Sequence, residues 1–193
     1  KGAWGHAVGG MGSITQLMSS VCEEKGVEIS TKAAVEKVLI KDNKAKGVML
    51  EDGTQIFADK VISNLNPKLL FKKLVAENDV DQEYRRKILN YKCGSGTFRM
   101  NVALSELPNF NCLPGKNISE HHKSGIVIAP SLTYMDQAFT DAKQYGWSKK
   151  PIVEMLIPST VDSTLAPEGK HVASLFCQQF APTLPDNKSW HDE

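Results

Sequence analysis

The chain has 193 residues, 41% hydrophobic and 23% charged, and its 23 Lys and Arg against 22 Asp and Glu leave a net charge of +1. This is a globular balance with room for one domain or parts of two, and it carries no basic field for nucleic acid or an anionic membrane. No apolar run approaches the roughly 18 residues that a membrane span needs.

The first segment, Gly2 to Gly12, holds Trp4, His6 and closely spaced glycines at Gly5, Gly9, Gly10 and Gly12. Glycine here provides either a pliant approach to the first helix or a backbone that passes close to a ligand. Gly10-Met11-Gly12-Ser13-Ile14-Thr15 lacks the third glycine and the preceding strand of a dinucleotide-binding fingerprint, so that motif is not met. Ile14, Leu17, Met18, Val21 and Cys22 then recur at helical spacing and predict one greasy helix face. Ser13 and Gln16 suggest a capping box, and Gly26 a C-terminal stop.

After Gly26 the period becomes extended. Val27 to Ser30, Val35 to Lys41, Gly47 to Glu51, Thr54 to Phe57 and Lys60 to Ser63 read as strands, with Asp42-Asn43 and Asp52-Gly53 as the turns of a three-stranded meander. The return strand ends at Asn64, and Asn66-Pro67 marks a boundary. Beyond it, Lys68 to Val75 and Val80 to Asn90 predict amphipathic helices, and Tyr91 to Leu104 a strand with Phe98, Met100 and Val102 on one face and Arg99 and Asn101 on the other. Arg99 and Asn101 suit a solvent-facing sheet better than a cavity. Leu107 to Ser124 reads as a surface loop, in which the adjacent His121 and His122 cannot both reach one metal as a helical i, i+4 pair can. A buried strand at Ile126 to Ala129, a helix at Leu132 to Tyr145, a strand at Ile152 to Ile157 and a long strand at His171 to Ala181 complete the pattern.

Cys22, Cys93, Cys112 and Cys177 lack C-x-x-C spacing and favour reduced thiols. The sequons at Asn117 and Asn187 are assigned to chance. Neither a nucleophile elbow nor a phosphate loop ending in Gly-Lys-Ser/Thr occurs, and no residue presents itself as a catalyst.

The order of these pieces resembles the middle of the phytoene-desaturase-like FAD-dependent amine oxidoreductases. The residues that carry the likeness are G-G-M-G-S-I-T-Q-L from Gly9, V-E-K-V from Val35, S-G-T-F-R-M-N-V-A-L-S-E-L-P-N-F from Ser95, Q-A-F-T-D-A-K from Gln137 and I-P-S-T-V-D-S-T-L-A-P-E-G-K-H-V-A-S-L-F from Ile157. The resemblance implies an α/β fold, α+β in its second part: an incomplete FAD/NAD(P)-binding Rossmann-like domain with a β-meander over residues 1–66, and a mixed-sheet substrate domain over 67–193. It implies that Val35 lies beside the adenine of FAD with its backbone reading the ring edge, that Ser63 and Asn64 touch the dinucleotide through backbone atoms, and that a substrate cavity lies where Trp4 and His6 can face it, ordinary packing being the favoured reading of either residue alone. The implied reaction is hydride transfer from a small or lipophilic substrate to flavin, with a flavin-dependent isomerase or a non-catalytic scaffold as alternatives, in a mitochondrial or else cytoplasmic setting. A homo-oligomer or a protein partner stays open. Relatives carry two glycine-rich cofactor segments that this sequence lacks, so residues 1–193 by themselves are expected to purify without FAD.

Overall fold

In the computed structural model, residues 5–94, 96–115 and 117–190 are described. Two compact units emerge, one made of the chain up to Gly26 together with Gly94 onward, the other of Val27–Cys93. The second unit straddles Asn66-Pro67, so the break in compactness falls on either side of the meander and its following helices.

Val27–Cys93 is built on the meander β1 (Val35–Lys41), β2 (Lys44–Leu50) and β3 (Gln55–Phe57), antiparallel throughout. Asp42 and Asn43 take φ of 53° and 57°, the left-handed pair that a two-residue hairpin turn demands and that Asp and Asn tolerate best. Val38 faces Val48 across β1 and β2 and is buried. The two outer strands read from the sequence do not form. Val27 to Ser30 and Lys60 to Ser63 lie in no ladder, and Ile62 is 94% exposed. Their apolar content is that of strands, but a strand exists only where a neighbour takes its amides and carbonyls.

After Asn66 the chain turns helical through α2 (Pro67–Leu69) and widens at once into a π-turn, Leu70–Leu74. Asn66 caps it by accepting from the Lys68 amide at 2.9 Å, with Pro67 at the first helical position where its missing N–H costs nothing. The helix α3 (Gln82–Leu89) is capped by Asp81, which accepts from the Tyr84 amide.

The other unit holds α1 (Met11–Glu24) and a four-stranded sheet in the order β4 (Gly96–Leu104), β7 (His171–Phe180), β6 (Val153–Leu156), β5 (Ile126–Ile128). Every pairing is antiparallel, which corrects the expected mixed sheet. The connections are long, with the helix Leu132–Tyr145 between β5 and β6 and β4 meeting β7 only after both, yet each described strand runs opposite to its neighbours. Central β7 pairs along both edges, with β4 and β6. The strand β5 sits at an edge with Val127 and Ile128 exposed, contrary to the buried strand read from its apolar run. The helix α4 (Leu132–Tyr145) begins at Ser131, whose hydroxyl accepts from the Tyr134 amide, and ends at left-handed Gly146. It carries Ala138, only 1% exposed.

Two local expectations are corrected in this unit. The first helix starts at Met11 with Gly10 as its cap, so Ser13 lies inside the first turn and donates its hydroxyl to the Gly10 carbonyl; no capping box forms. Its greasy face stays open, with Leu17 66% and Met18 62% exposed. His122 is no surface residue. It is buried, its Nδ1 accepts from the Ser119 amide at 3.1 Å, and its Nε2 lies 3.0 Å from the Pro108 carbonyl, so the Nε2–H tautomer satisfies both ring nitrogens. The four cysteines are unpaired. Among the described residues, no helix is long and apolar enough to cross a membrane, and no cluster of three or more His, Cys, Asp or Glu is placed to hold a metal.

Candidate functional site

Within Val27–Cys93, the meander and the segment after it enclose a groove of about 600 Å³. One wall is strand: Val35, at the start of β1 and paired with Leu50, and Val48 on β2. A bulge between Val35 and Lys37 shifts the register there, which increases the local twist of the strand. The opposite wall is the stretch from Val61 to Leu65, where Ser63 folds back to accept the Leu65 amide at 3.2 Å, together with the π-turn. Leu70 and Leu74, at the two ends of that turn, both line the groove.

Val35 and the adjacent pair Ser63 and Asn64, which begins 28 residues further on, all line this one groove. The lining is mainly aliphatic, with Glu36, Glu51 and Lys73 as its charged members. Such a slot accepts a flat, weakly polar ring between aliphatic walls and leaves charge for the ring's polar edge or attached groups.

The glycine-rich approach to α1 is organised by a residue that enters the sequence reading only inside the stretch from Ile157, with no role given to it. Asp162, buried within its unit, accepts the Gly9 amide at 2.8 Å on Oδ2. Its Oδ1 accepts from the Thr164 hydroxyl at 2.6 Å and the Thr164 amide at 3.0 Å. His6 Nε2 stands 3.4 Å from Oδ2. The Thr164 hydroxyl above all holds this carboxyl below the ordinary 3.8, to about 2; burial opposes, and the amides of Thr164 and Gly9 and the His6 ring add to the lowering. Gly9 and Gly10 reach this position at φ of 86° and 78°, and a Cβ on Gly10 would crowd Leu165 at 3.3 Å. His6 is therefore bound to a carboxylate at the head of α1, and the Gly9 amide is committed to that carboxylate. Trp4 lies outside the described residues. The legible signal was Asp162-Ser163-Thr164, the Asx pattern that caps the short turn Ser163–Leu165.

Arg99 and Asn101 face outward, as read: both are exposed, and Arg99 lies over the Phe176 ring at 5.4 Å while donating to Ser174 Oγ at 3.1 Å.

Helices on antiparallel sheet, arranged in this order, are shared with a crystallised oxidoreductase from Methanosarcina mazei at a TM-score of 0.63 and 22% identity, over 91% of this chain and 34% of that one. Residues 2–97 match the pattern of the flavin containing amine oxidoreductases. Among curated relatives, the chain is 34% identical to pyridine nucleotide-disulfide oxidoreductase domain-containing protein 2 of Mus musculus over its whole length and 34% of the relative's. It is 31% identical to prolycopene isomerase 2, chloroplastic, of an Oncidium hybrid cultivar, over 91% of this chain and 27% of that protein. To the phytoene desaturase of Cercospora nicotianae it is 27% identical, over 88% and 25%. The chain thus spans about a third or less of the length of these relatives.

Proposed function

We propose that the chain is a central segment of an FAD-dependent oxidoreductase that moves a hydride from a small or lipophilic substrate to flavin. The observation that carries this reading is the convergence of Val35, Ser63 and Asn64 on one groove, inside the stretch that matches the flavin family. Their setting fits the adenine end of FAD. Aliphatic walls from Val35 and Val48 would sandwich the ring, the backbone at Val35 would read its edge, and Ser63 and Asn64 would meet the dinucleotide through main-chain atoms. When bound, the flavin supplies the hydride-accepting ring, and the protein supplies orientation and exclusion of water. Residues up to 66 serve the cofactor in this reading, and 67–193 serve the substrate; Val27–Ser30 and Lys60–Ser63 become strands of a Rossmann-like sheet once neighbouring strands pair with them. An isomerase is the second reading, favoured by the 31% identity to prolycopene isomerases. A mitochondrial setting is part of the same proposal.

Two measurements test it. The full-length protein should show flavin absorbance that bleaches anaerobically with its substrate; absence of flavin would point to a scaffold. Val35→Pro, which removes the amide donor, should lose FAD at matched thermal stability, whereas Ala45→Pro in β2, away from the groove, should keep it once folded. Equal retention in a folded Val35→Pro protein removes Val35 from the site.

A further inference from the structure

A second groove, of about 520 Å³, lies within the unit that holds the four-stranded sheet. It is framed by Gly96 and Thr97 at the start of β4, Phe139 and Lys143 on α4, and Gln179 and Phe180 at the end of β7. We propose that this groove is a binding site for an organic anion carrying a flat ring, with Lys143 taking the anionic group and the two phenylalanines taking the ring.

Three observations carry the assignment. The first is charge. Lys143 is the charged member of the lining, its ammonium lies 5.2 Å over the Phe139 ring, and among the described residues no carboxylate stands within ion-pair distance of it. A cation anchored on an aromatic face keeps its remaining donors for a ligand. Its neighbour Gln178 is engaged, donating through Nε2 to Glu154 Oε1.

The second observation is shape. Gly96 opposes Phe180, whereas Phe98 opposes Cys177, so Gln178 and Gln179 bulge against the single residue Thr97. The bulge bends the end of β7 and re-aims its side chains beside the groove. A Cβ on Gly96 would sit 2.8 Å from the Phe180 carbonyl oxygen, so the two strands meet there backbone to backbone and only glycine permits the close approach at this edge of the groove.

The third is strain. Gln179 adopts φ of 72° inside a strand, a conformation that favours glycine. Its carbonyl accepts the Ser148 amide at 3.0 Å, a bond that glycine would make equally well. What glycine would not supply is the side chain of a residue that lines the same groove as Lys143. A strained position keeping a long amide in a groove that also holds an unpaired cation is suited to a polar ligand contact.

This site does not depend on flavin, so it stands or falls separately from the proposed oxidoreductase activity. The test is titration calorimetry of the full chain with 1-naphthoate and its neutral counterpart 1-naphthylmethanol. The naphthoate should bind about tenfold more tightly than the alcohol, as one charge-assisted hydrogen bond provides. Lys143→Gln should abolish that preference and leave the alcohol unchanged. Lys149→Gln is the control, because Lys149 also lies over a ring, 4.6 Å from the Tyr145 centroid, but lines a different groove; it should change neither. Gln179→Gly should raise the melting temperature by relieving strain and yet weaken naphthoate binding. The proposal is overturned if wild type shows no preference for the anion, if Lys149→Gln loses as much as Lys143→Gln, or if Gln179→Gly binds naphthoate as wild type does.

Discussion

Gly47 in β2 is the position where one methyl group should do the most damage to the meander. Its φ is 152°, and a Cβ built there would stand 2.1 Å from the Ile56 carbonyl oxygen and 2.9 Å from both the Ile56 carbonyl carbon and the Phe57 Cα. All three neighbours are backbone, so no side chain can swing aside. Since ordinary carbon contacts lie near 3.5 Å, β3 would have to retreat on the order of 1 Å, more than a hydrogen bond at normal length survives. Losing one or two ladder bonds at about 1 kcal/mol each, plus overpacking of about 1–3 kcal/mol, gives a cost of about 3 kcal/mol for Gly47→Ala. Gly53→Ala is the comparison. Gly53 also has a positive φ, 87°, but nothing lies within 4 Å of its Cβ position, so only the left-handed backbone is penalised, by about 1 kcal/mol. Because the chain has two units, local amide exchange at Val48 and Met49 is a better readout than a global melt. Protection there should fall by about 2 kcal/mol more in Gly47→Ala than in Gly53→Ala, given the additional clash and lost bonds. Equal losses would refute the close approach of β3 to Gly47. Since Val48 walls the groove beside Val35, flavin retention by the full-length protein should fall with Gly47→Ala as well.

The remaining predictions concern the other unit. Asp162 has a folded pKa lowered to about 2 from 3.8, so its contribution to stability is fully present above about pH 4 and is lost as pH falls from there towards 2. The stability difference between wild type and Asp162→Asn should be constant near neutrality and shrink across that window; a difference independent of pH would show that the carboxylate charge is not what holds Gly9 and Thr164. Ala138→Leu places three extra carbons where the helix is 1% exposed and should cost about 1–3 kcal/mol in urea unfolding, whereas Thr140→Leu on the exposed side should be near neutral. Tyr134→Phe removes the hydroxyl that donates to the Pro151 carbonyl at 3.0 Å and should cost about 1 kcal/mol; no loss would mean that water replaces the bond.

Local code was legible wherever the chain carries its own instructions. The helix from Leu132 to Tyr145 forms over the bounds read for it, and Ser131 caps it and Gly146 stops it, signals that act within a turn of the residues they control. The hairpin at Asp42-Asn43 was legible for the same reason: left-handed backbone needs particular residues, and they are there. The groove residues Val35, Ser63 and Asn64 were named from a resemblance, and only the folded meander and the return segment bring them together. What the sequence could not decide was partnership. The apolar run of Ile126 to Ala129 is the same in an edge strand as in a buried one, and Val27 to Ser30 reads as a strand whether or not a neighbour pairs with it. Asp162 shows the same limit from the polar side: its cap to Thr164 is local and readable, but its bond to Gly9 crosses 153 positions, and no periodicity reports on a contact that only the closed fold creates. Hydrophobic pattern fixes which face of an element must be covered, and tertiary structure alone decides what covers it.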